Sequence, residues 1–473
     1  MAEPGAAASA GRLLAMGVTG TVLALVAVLL LRTATFPEPD ELRGWGRTGA
    51  SRIPAQFSEA ERTAMKEALK EAIQMPTVSF SSENINTTAL AEFGEHIRKV
   101  FPFLFSTSFI QHEVVEQYSH LFTIHGSDPK LEPYMLLAHI DVVPAPNDGW
   151  EVPPFSGLER DGFIYGRGTI DNKNSAMAIL QAMELLLRRN YVPQRSFYIS
   201  LGHDEEVSGT YGAQKIAALL ESRGIELSFI IDEGGYIMDD FIPGFEKPFA
   251  WISVSEKGGM NLMLQVDSDP GHSSMPPKET SIGILAAAVS RILEKSPATN
   301  AMVRTTVALT MFNSGIKVNV IPPTAQATIN LRIHPAQTVP EVLEIVRNVV
   351  ADDRVRYHVL NAFDPLPLSP HDNEAFGYQL LKRTIRDVFP EVTAVVPGIC
   401  VGNTDARHYT NISKGLYRFN PIALNPQSFK SFHGLNEKIS IQAYETQVAF
   451  LFELIQNADT EKVPRPHSAE HEL

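Results

Sequence analysis

Apolar runs of strand length alternate with helically spaced ones along the first half of this 473-residue chain. Strand-like runs recur at 134–139, 196–201 and 227–231, with helical spacing at 174–188 and again at 212–223. Strands alternating with helices predict an α/β fold with a mostly parallel sheet. Ahead of them, Ser58-Glu59-Ala60-Glu61 has capping-box spacing and opens a helical pattern that continues to Ile73.

The pattern changes near residue 249. Strand 252–266, helix 281–295, strands 303–312 and 325–333, helix 339–351 and strand 355–360 follow in the order βαββαβ. That order predicts a ferredoxin-like module inserted into the larger domain. Helical spacing resumes at 374–389 and 439–455. The expected division is therefore a first domain over 55–248, the insert over 249–361, completion of the first domain over 362–458, and a loose polar tail over 459–473.

Residues 13–31 carry no charge and lie between Arg12 and Arg32. With small residues at Thr33, Ala34 and Thr35, the stretch 1–35 reads as a signal peptide, or alternatively as a signal anchor, and predicts a secreted chain. Asn86-Thr87-Thr88 and Asn411-Ile412-Ser413 fit the N-glycosylation acceptor pattern, which matters in that compartment. The 40 basic and 54 acidic residues give a net charge of −14, which argues against nucleic acid as a partner. A single cysteine, Cys400, excludes both an internal disulfide framework and a thiolate zinc cage. Any metal must be held by His, Asp and Glu, a donor set suited to catalysis.

Such residues stand where the apolar runs end. His139 and Asp141 close the first, and the period of two points both side chains to one side. Asp171 follows a glycine-rich stretch that begins at Gly166, and on its own it could simply cap a helix. Asp204, Glu205 and Glu206 follow the second run, and Asp232 closes the third. Ligands bind at the carboxyl ends of strands in open α/β sheets. So many carboxylates on one rim could not all ionise without cations between them. A divalent metal pair would resolve that conflict. His408 and His433 both lie in the C-terminal region from which a further ligand could come.

These residues, in this order, resemble the aminoacylase and carboxypeptidase family of di-zinc peptidases over about 58–458. The resemblance implies two zinc ions bridged by Asp171. His139 and Asp232 would complete one site, and Glu206 and His433 the other. His433 is preferred because Ser431-Phe432-His433-Gly434-Leu435-Asn436-Glu437 looks like the family's closing segment. Asp141 would orient His139 without touching metal. Glu205 would be the general base, taking a proton from water acidified by the ions. In the insert, Gly271-His272-Ser273-Ser274 looks like a lid motif whose His stabilises the oxyanion, commonly in a partner subunit. Asn319, Arg332, Gly402 and Thr404 match substrate-binding positions, and Arg332 can fork onto a carboxylate.

The leader, Ser51-Arg52-Ile53-Pro54 and the stretch 440–447 most resemble secreted members that join, and reversibly cleave, a fatty acid and an amino acid. The partners then expected are N-acyl amino acid, fatty acid and amino acid, a second copy through the lid, and a lipid carrier or lipoprotein. At the Ile292–Leu293 junction the chain is shorter than those relatives, and Asn403 replaces a common Gly. A secreted dipeptidase or carboxypeptidase, or a short-chain aminoacylase, would use the same metals. A non-catalytic binding protein on this fold would usually have lost a ligand or the base, and here all are present.

Overall fold

The computed structural model describes residues 52–241, 247–293 and 304–459. The expected leader at 1–35 and the tail from 460 lie outside the described residues. Among the described residues, no helix is long and apolar enough to cross a membrane.

The main elements, in chain order, begin with α1 (Glu59–Gln74), β1 (Ile110–Val115), β2 (Ser119–Ile124), β3 (Tyr134–His139), α2 (Lys173–Arg188), β4 (Phe197–Gly202), α3 (Ala213–Ser222), β5 (Phe229–Asp232) and β6 (Phe249–Glu256). Next come β7 (Gly258–Asp267), α4 (Ser281–Leu293), β8 (Thr306–Ser314), β9 (Thr324–Ile333), α5 (Val339–Val350) and β10 (Val355–Phe363). The chain then returns through α6 (Phe376–Val388), β11 (Ala394–Cys400), β12 (Leu416–Arg418) and α7 (Ile441–Asn457).

Local chemistry sets the first boundary. The Ser58 hydroxyl accepts from the Glu61 amide while the Glu61 carboxylate accepts from the Ser58 amide, a reciprocal cap that starts α1. Met65, Leu69, Ala72 and Ile73 form its buried face. Helix α2 is buried from Lys173 to Leu187 and packs against α1, α7 and β3, so it needs no polar face.

At the centre of the large sheet β4, β3, β5 and β12 run parallel, in that order. On one side the β1–β2 hairpin continues antiparallel from β4. On the other, β6 meets β12 antiparallel and carries β11 parallel. The sheet is thus mixed: the crossovers through α2 (β3 to β4) and α3 (β4 to β5) keep β4, β3 and β5 parallel, whereas the short connection between β1 and β2 makes an antiparallel hairpin. Register places His139 beside Gly202 and Asp232 beside Arg418, so chemistry-bearing ends share one rim.

The inserted module is a four-stranded antiparallel sheet ordered β8-β9-β7-β10, with α4 and α5 on one face. Strict alternation along β9 buries Ala325, Ala327, Ile329, Leu331 and Ile333 against those helices. Its start differs from the expected 249. Strand β6 belongs to the large sheet, and the insert begins at Gly258, after Lys257, because the single apolar run read from sequence is two strands in different sheets.

Where the insert leaves the sheet, the Arg418 Nε donates to Glu256 Oε1 over 2.6 Å, and both side chains are fully buried. Removing one partner of such a pair strands the other charge. Arg418→Ala should therefore lose about 3–5 kcal/mol of stability by urea denaturation, and a loss under about 1 kcal/mol would contradict this role.

Candidate metal centre

His139 is presented by the end of β3. Its Nδ1 lies 3.0 Å from the Asp141 carbonyl oxygen and 3.3 Å from the Asp141 carboxylate. Its Nε2 lies 3.1 Å from Asp171 Oδ1 and 3.1 Å from Glu233 Oε1. The fully buried Asp141 carboxylate also accepts from the Glu205 and Glu206 amides, at 3.1 and 3.3 Å. One side chain therefore both orients the imidazole and anchors the acidic turn after β4.

Asp171 sits on the loop leading into α2. Gly168 has φ +93°, and a Cβ there would also lie 3.0 Å from Val142 Cγ1. Buried Glu437 clips this loop: its Oε1 accepts from the amides of Gly168, Ile170 and Asp171, at 3.0, 2.7 and 3.3 Å. Its Oε2 takes Arg167 Nη1 at 2.6 Å. Since Glu437 lies four residues beyond His433, the clip also sets the approach of that imidazole. His433 Nε2 is 3.1 Å from Asp171 Oδ2 and 3.2 Å from Glu206 Oε2.

The two oxygens of Asp171 thus face different histidines. Three groups could each hold an ion, with ligand atoms within 4.8 Å of one another: His139, Asp171 and Glu233; Asp171, Glu206 and His433; and His139, Glu205 and Glu206. The donor set suits a divalent cation, and the buried Glu206 Oε1 has no hydrogen-bond partner.

Asp232, expected in this group, is outside it. Its carboxylate accepts from the amides of Glu233 and Ala406, at 2.9 and 2.8 Å. Successive residues at a strand end face opposite ways, so Glu233 turns toward His139 while Asp232 turns away. His408 lines the cavity above, with Nε2 2.9 Å from the Ser208 carbonyl oxygen, and takes no place in the cluster.

Crowding shows in the proton affinities. Burial, reinforced by Glu206, Asp405 and Glu233, pushes Glu205 well above the usual carboxylate range. Burial and the neighbouring Asp171 push Glu233 up to about 8. Burial would raise Asp171 as well, but the His139 and His433 imidazoles hold it below its ordinary value. Hydrogen bonds to Asp171 and Glu206 lift His433 to about 10.

A cavity of about 930 Å³ opens over the cluster. Arg332, Gly402 and Thr404 all line it. Arg332 Nη1 donates to Asn403 Oδ1 at 2.7 Å, and Asn403 Nδ2 donates to the Lys257 carbonyl at 2.7 Å, which ties the insert to the loop after β11. The Thr404 hydroxyl is turned to Glu256. His272 and Asn319 are not among the cavity walls. His272 is exposed on a short ribbon pairing Gly271–His272 with Val320–Ile321, its Nδ1 2.7 Å from Ser274 Oγ. Asn86 caps a helix through its side-chain oxygen and donates Nδ2 to Pro76, whereas Asn411 is exposed at a turn beside Glu221.

Sequence reasoning passed over Glu233 and the part played by Glu437. Both had a signal, as the acid next to Asp232 and as the last residue of the segment containing His433.

The sequence pattern of peptidase family M20/M25/M40 matches residues 135–457. An N-fatty-acyl-amino acid synthase/hydrolase of Mus musculus is 63% identical, over 95% of this chain and 98% of that protein. Its counterpart in Homo sapiens is 62% identical over 94% and 98%. The mouse alignment runs over 496 residues, more than the 473 here, so that relative holds residues this chain lacks. Among solved structures, an M20 family metallo-carboxypeptidase from Sulfolobus solfataricus superposes with TM-score 0.63 at 17% identity, over 85% of this chain and all of that one. Human carnosine dipeptidase 1 does so with TM-score 0.60 at 17% identity, over 84% and 97%. The fold is that of these metallopeptidases, and the chain belongs to peptidase family M20/M25/M40.

Proposed function

We propose that this chain is a zinc-dependent amide hydrolase that cleaves, and in reverse condenses, N-fatty-acyl amino acids. The observation that carries the reading is an acid–imidazole cluster beneath a cavity lined by Arg332, by the amides of Asn261, Asn330 and Asn361, and by the rings of Tyr236, Phe429 and Phe432. Relatives 62–63% identical over nearly their whole length bear that activity in their names.

In this reading zinc would be held by two overlapping groups that share Asp171: His139, Asp171 and Glu233, and Asp171, Glu206 and His433. Two such ions supply Lewis acidity, which acidifies water and polarises an amide carbonyl. The protein groups do the rest. Glu205 Oε2, 3.9 Å from His139 Nε2, takes a proton from the attacking water and returns it to the leaving nitrogen. Run backwards, the same positions serve condensation, and concentrations decide the net direction. Arg332, whose Nη1 donates to Asn403, receives the free carboxylate of the amino acid. Secretion, glycosylation at exposed Asn411, a lid-to-lid dimer presenting His272 to a partner's site, and a lipid carrier belong to the same reading.

Glu205→Gln keeps the size and removes the base. Hydrolysis should fall by about 10²–10⁴-fold with bound zinc unchanged by elemental analysis, whereas near-normal turnover would contradict the assignment.

Proton uptake gives a second test. Ligands must shed protons to bind metal, and at pH 7 His433 and Glu233 of the metal-free chain hold theirs. Zinc binding should therefore release protons and tighten from pH 6 to pH 8. Calorimetry in two buffers of different ionisation enthalpy would read the release, and pH-independent affinity would oppose it.

Substrate class is tested with oleoyl-phenylalanine, acetyl-phenylalanine and an unblocked dipeptide. The oleoyl substrate should be preferred, and Arg332→Ala should weaken free-carboxylate substrates while sparing their amides. Equal rates on the two acyl substrates would favour an aminoacylase, and preference for the dipeptide a peptidase.

A further inference from the structure

The amide to be cut has two unlike halves, and the cavity over the cluster has two unlike walls. On the side of the insert, Asn330 Nδ2 donates to Asn261 Oδ1 at 2.8 Å and Asn261 Nδ2 donates to Asn361 Oδ1 at 2.9 Å, forming an amide ladder across β9, β7 and β10. Arg332 lies on the same face of β9, two residues from Asn330. Laying a hydrocarbon chain over this ladder would strip water from amides and a guanidinium and give nothing back.

Away from the insert, Tyr236, Phe429 and Phe432 also line the cavity and form a row that continues to Phe241. Tyr236 and Phe432 have ring centroids 5.5 Å apart, Phe432 and Phe429 5.4 Å, and Phe429 and Phe241 5.8 Å. The row begins at the metal cluster, because Tyr236 is three residues past Glu233 and Phe432 immediately precedes His433. It leads away along the edge of the large sheet, where Ile237–Met238 pairs with Ala423–Leu424. Tyr236 is buried, whereas Phe432, Phe429 and Phe241 are only half-buried. Phe429 is held by a capped turn, with Asn425 Oδ1 accepting from the Gln427 and Ser428 amides at 3.0 and 2.8 Å. A row of fixed rings that still show apolar surface gains by burying it.

We propose that the substrate's acyl chain runs from the cluster along Tyr236, Phe432, Phe429 and Phe241, with the amino-acid half held on the Arg332 side. This rests on the fatty-acyl reading of the site and adds where each half lies. Distance from the cluster then orders the rings by the chain length each one senses. Phe432 meets the first methylenes, Phe429 the middle ones, and Phe241, beyond the cavity wall, only long chains.

The test uses the full zinc-loaded chain and phenylalanine carrying acetyl, octanoyl, dodecanoyl or oleoyl groups. In wild type kcat/KM should climb with chain length, by up to about fourfold per methylene buried. Phe429→Ser should lower the oleoyl-to-acetyl ratio by about 10–100-fold, the loss of contact with roughly two to three methylenes. Phe241→Ser should lower the ratio for oleoyl and dodecanoyl while leaving octanoyl-to-acetyl unchanged. Phe429→Trp, which narrows the path instead of emptying it, should shorten the preferred chain and supports the proposal even if a serine variant does not fold. No preference for long chains in wild type would defeat the fatty-acyl reading, and the path with it. A wild-type preference that survives these ring changes but is lost in Phe363→Ser, on the insert side, would overturn the path alone.

Discussion

Four carboxylates and two imidazoles share one small volume, and that crowding is the constraint on which the rest of the site depends. Like charges this close and this poorly solvated cannot all ionise. In the metal-free chain the conflict is met by protons, which is why Glu233 and Glu205 hold theirs so far up the pH scale while Asp171 stays ionised between two imidazoles. Cations would take over the same task. Everything around the cluster serves to hold these groups together against their repulsion.

That holding is done by buried charge paired with buried charge. Glu437 and Arg167 neutralise one another, and the remaining capacity of the carboxylate gathers three amides of the Asp171 loop. Glu256 and Arg418 do the same where the large sheet gives way to the insert, and Glu256 also receives the Thr404 hydroxyl. Such pairs add little net stability over apolar packing, but breaking one is costly. Their value here is position. A shift in Glu437 would move Asp171 and His433 together, and a shift in Glu256 would disturb the loop that carries Asn403 to Arg332.

Much of this was legible in the chain because strand-length apolar runs end in acids or histidine, and a parallel sheet brings such ends to one rim. His139, Asp171, Glu205, Glu206 and His433 could be named that way with help from the family resemblance. The phase of a strand's last residue could not be read, since one residue of register decides which of Asp232 and Glu233 faces inward. The run through 249–266 hid a change of sheet, and its signal was the Gly258-Gly259 pair where the chain crosses over. The hairpin of β1 and β2 escaped notice because its place beside β4 depends on long-range pairing, which composition does not reveal. The aromatic row has no linear signature at all, since its rings come from two segments far apart in sequence.

The central claim is that Asp171 lies between two metal ions. Anomalous diffraction at the zinc edge, from crystals of the zinc-loaded chain, tests it most directly. The account predicts two peaks about 3.5–4 Å apart, one beside His139 and Glu233 and the other beside Glu206 and His433. A single peak, or two peaks that do not share Asp171, would contradict it.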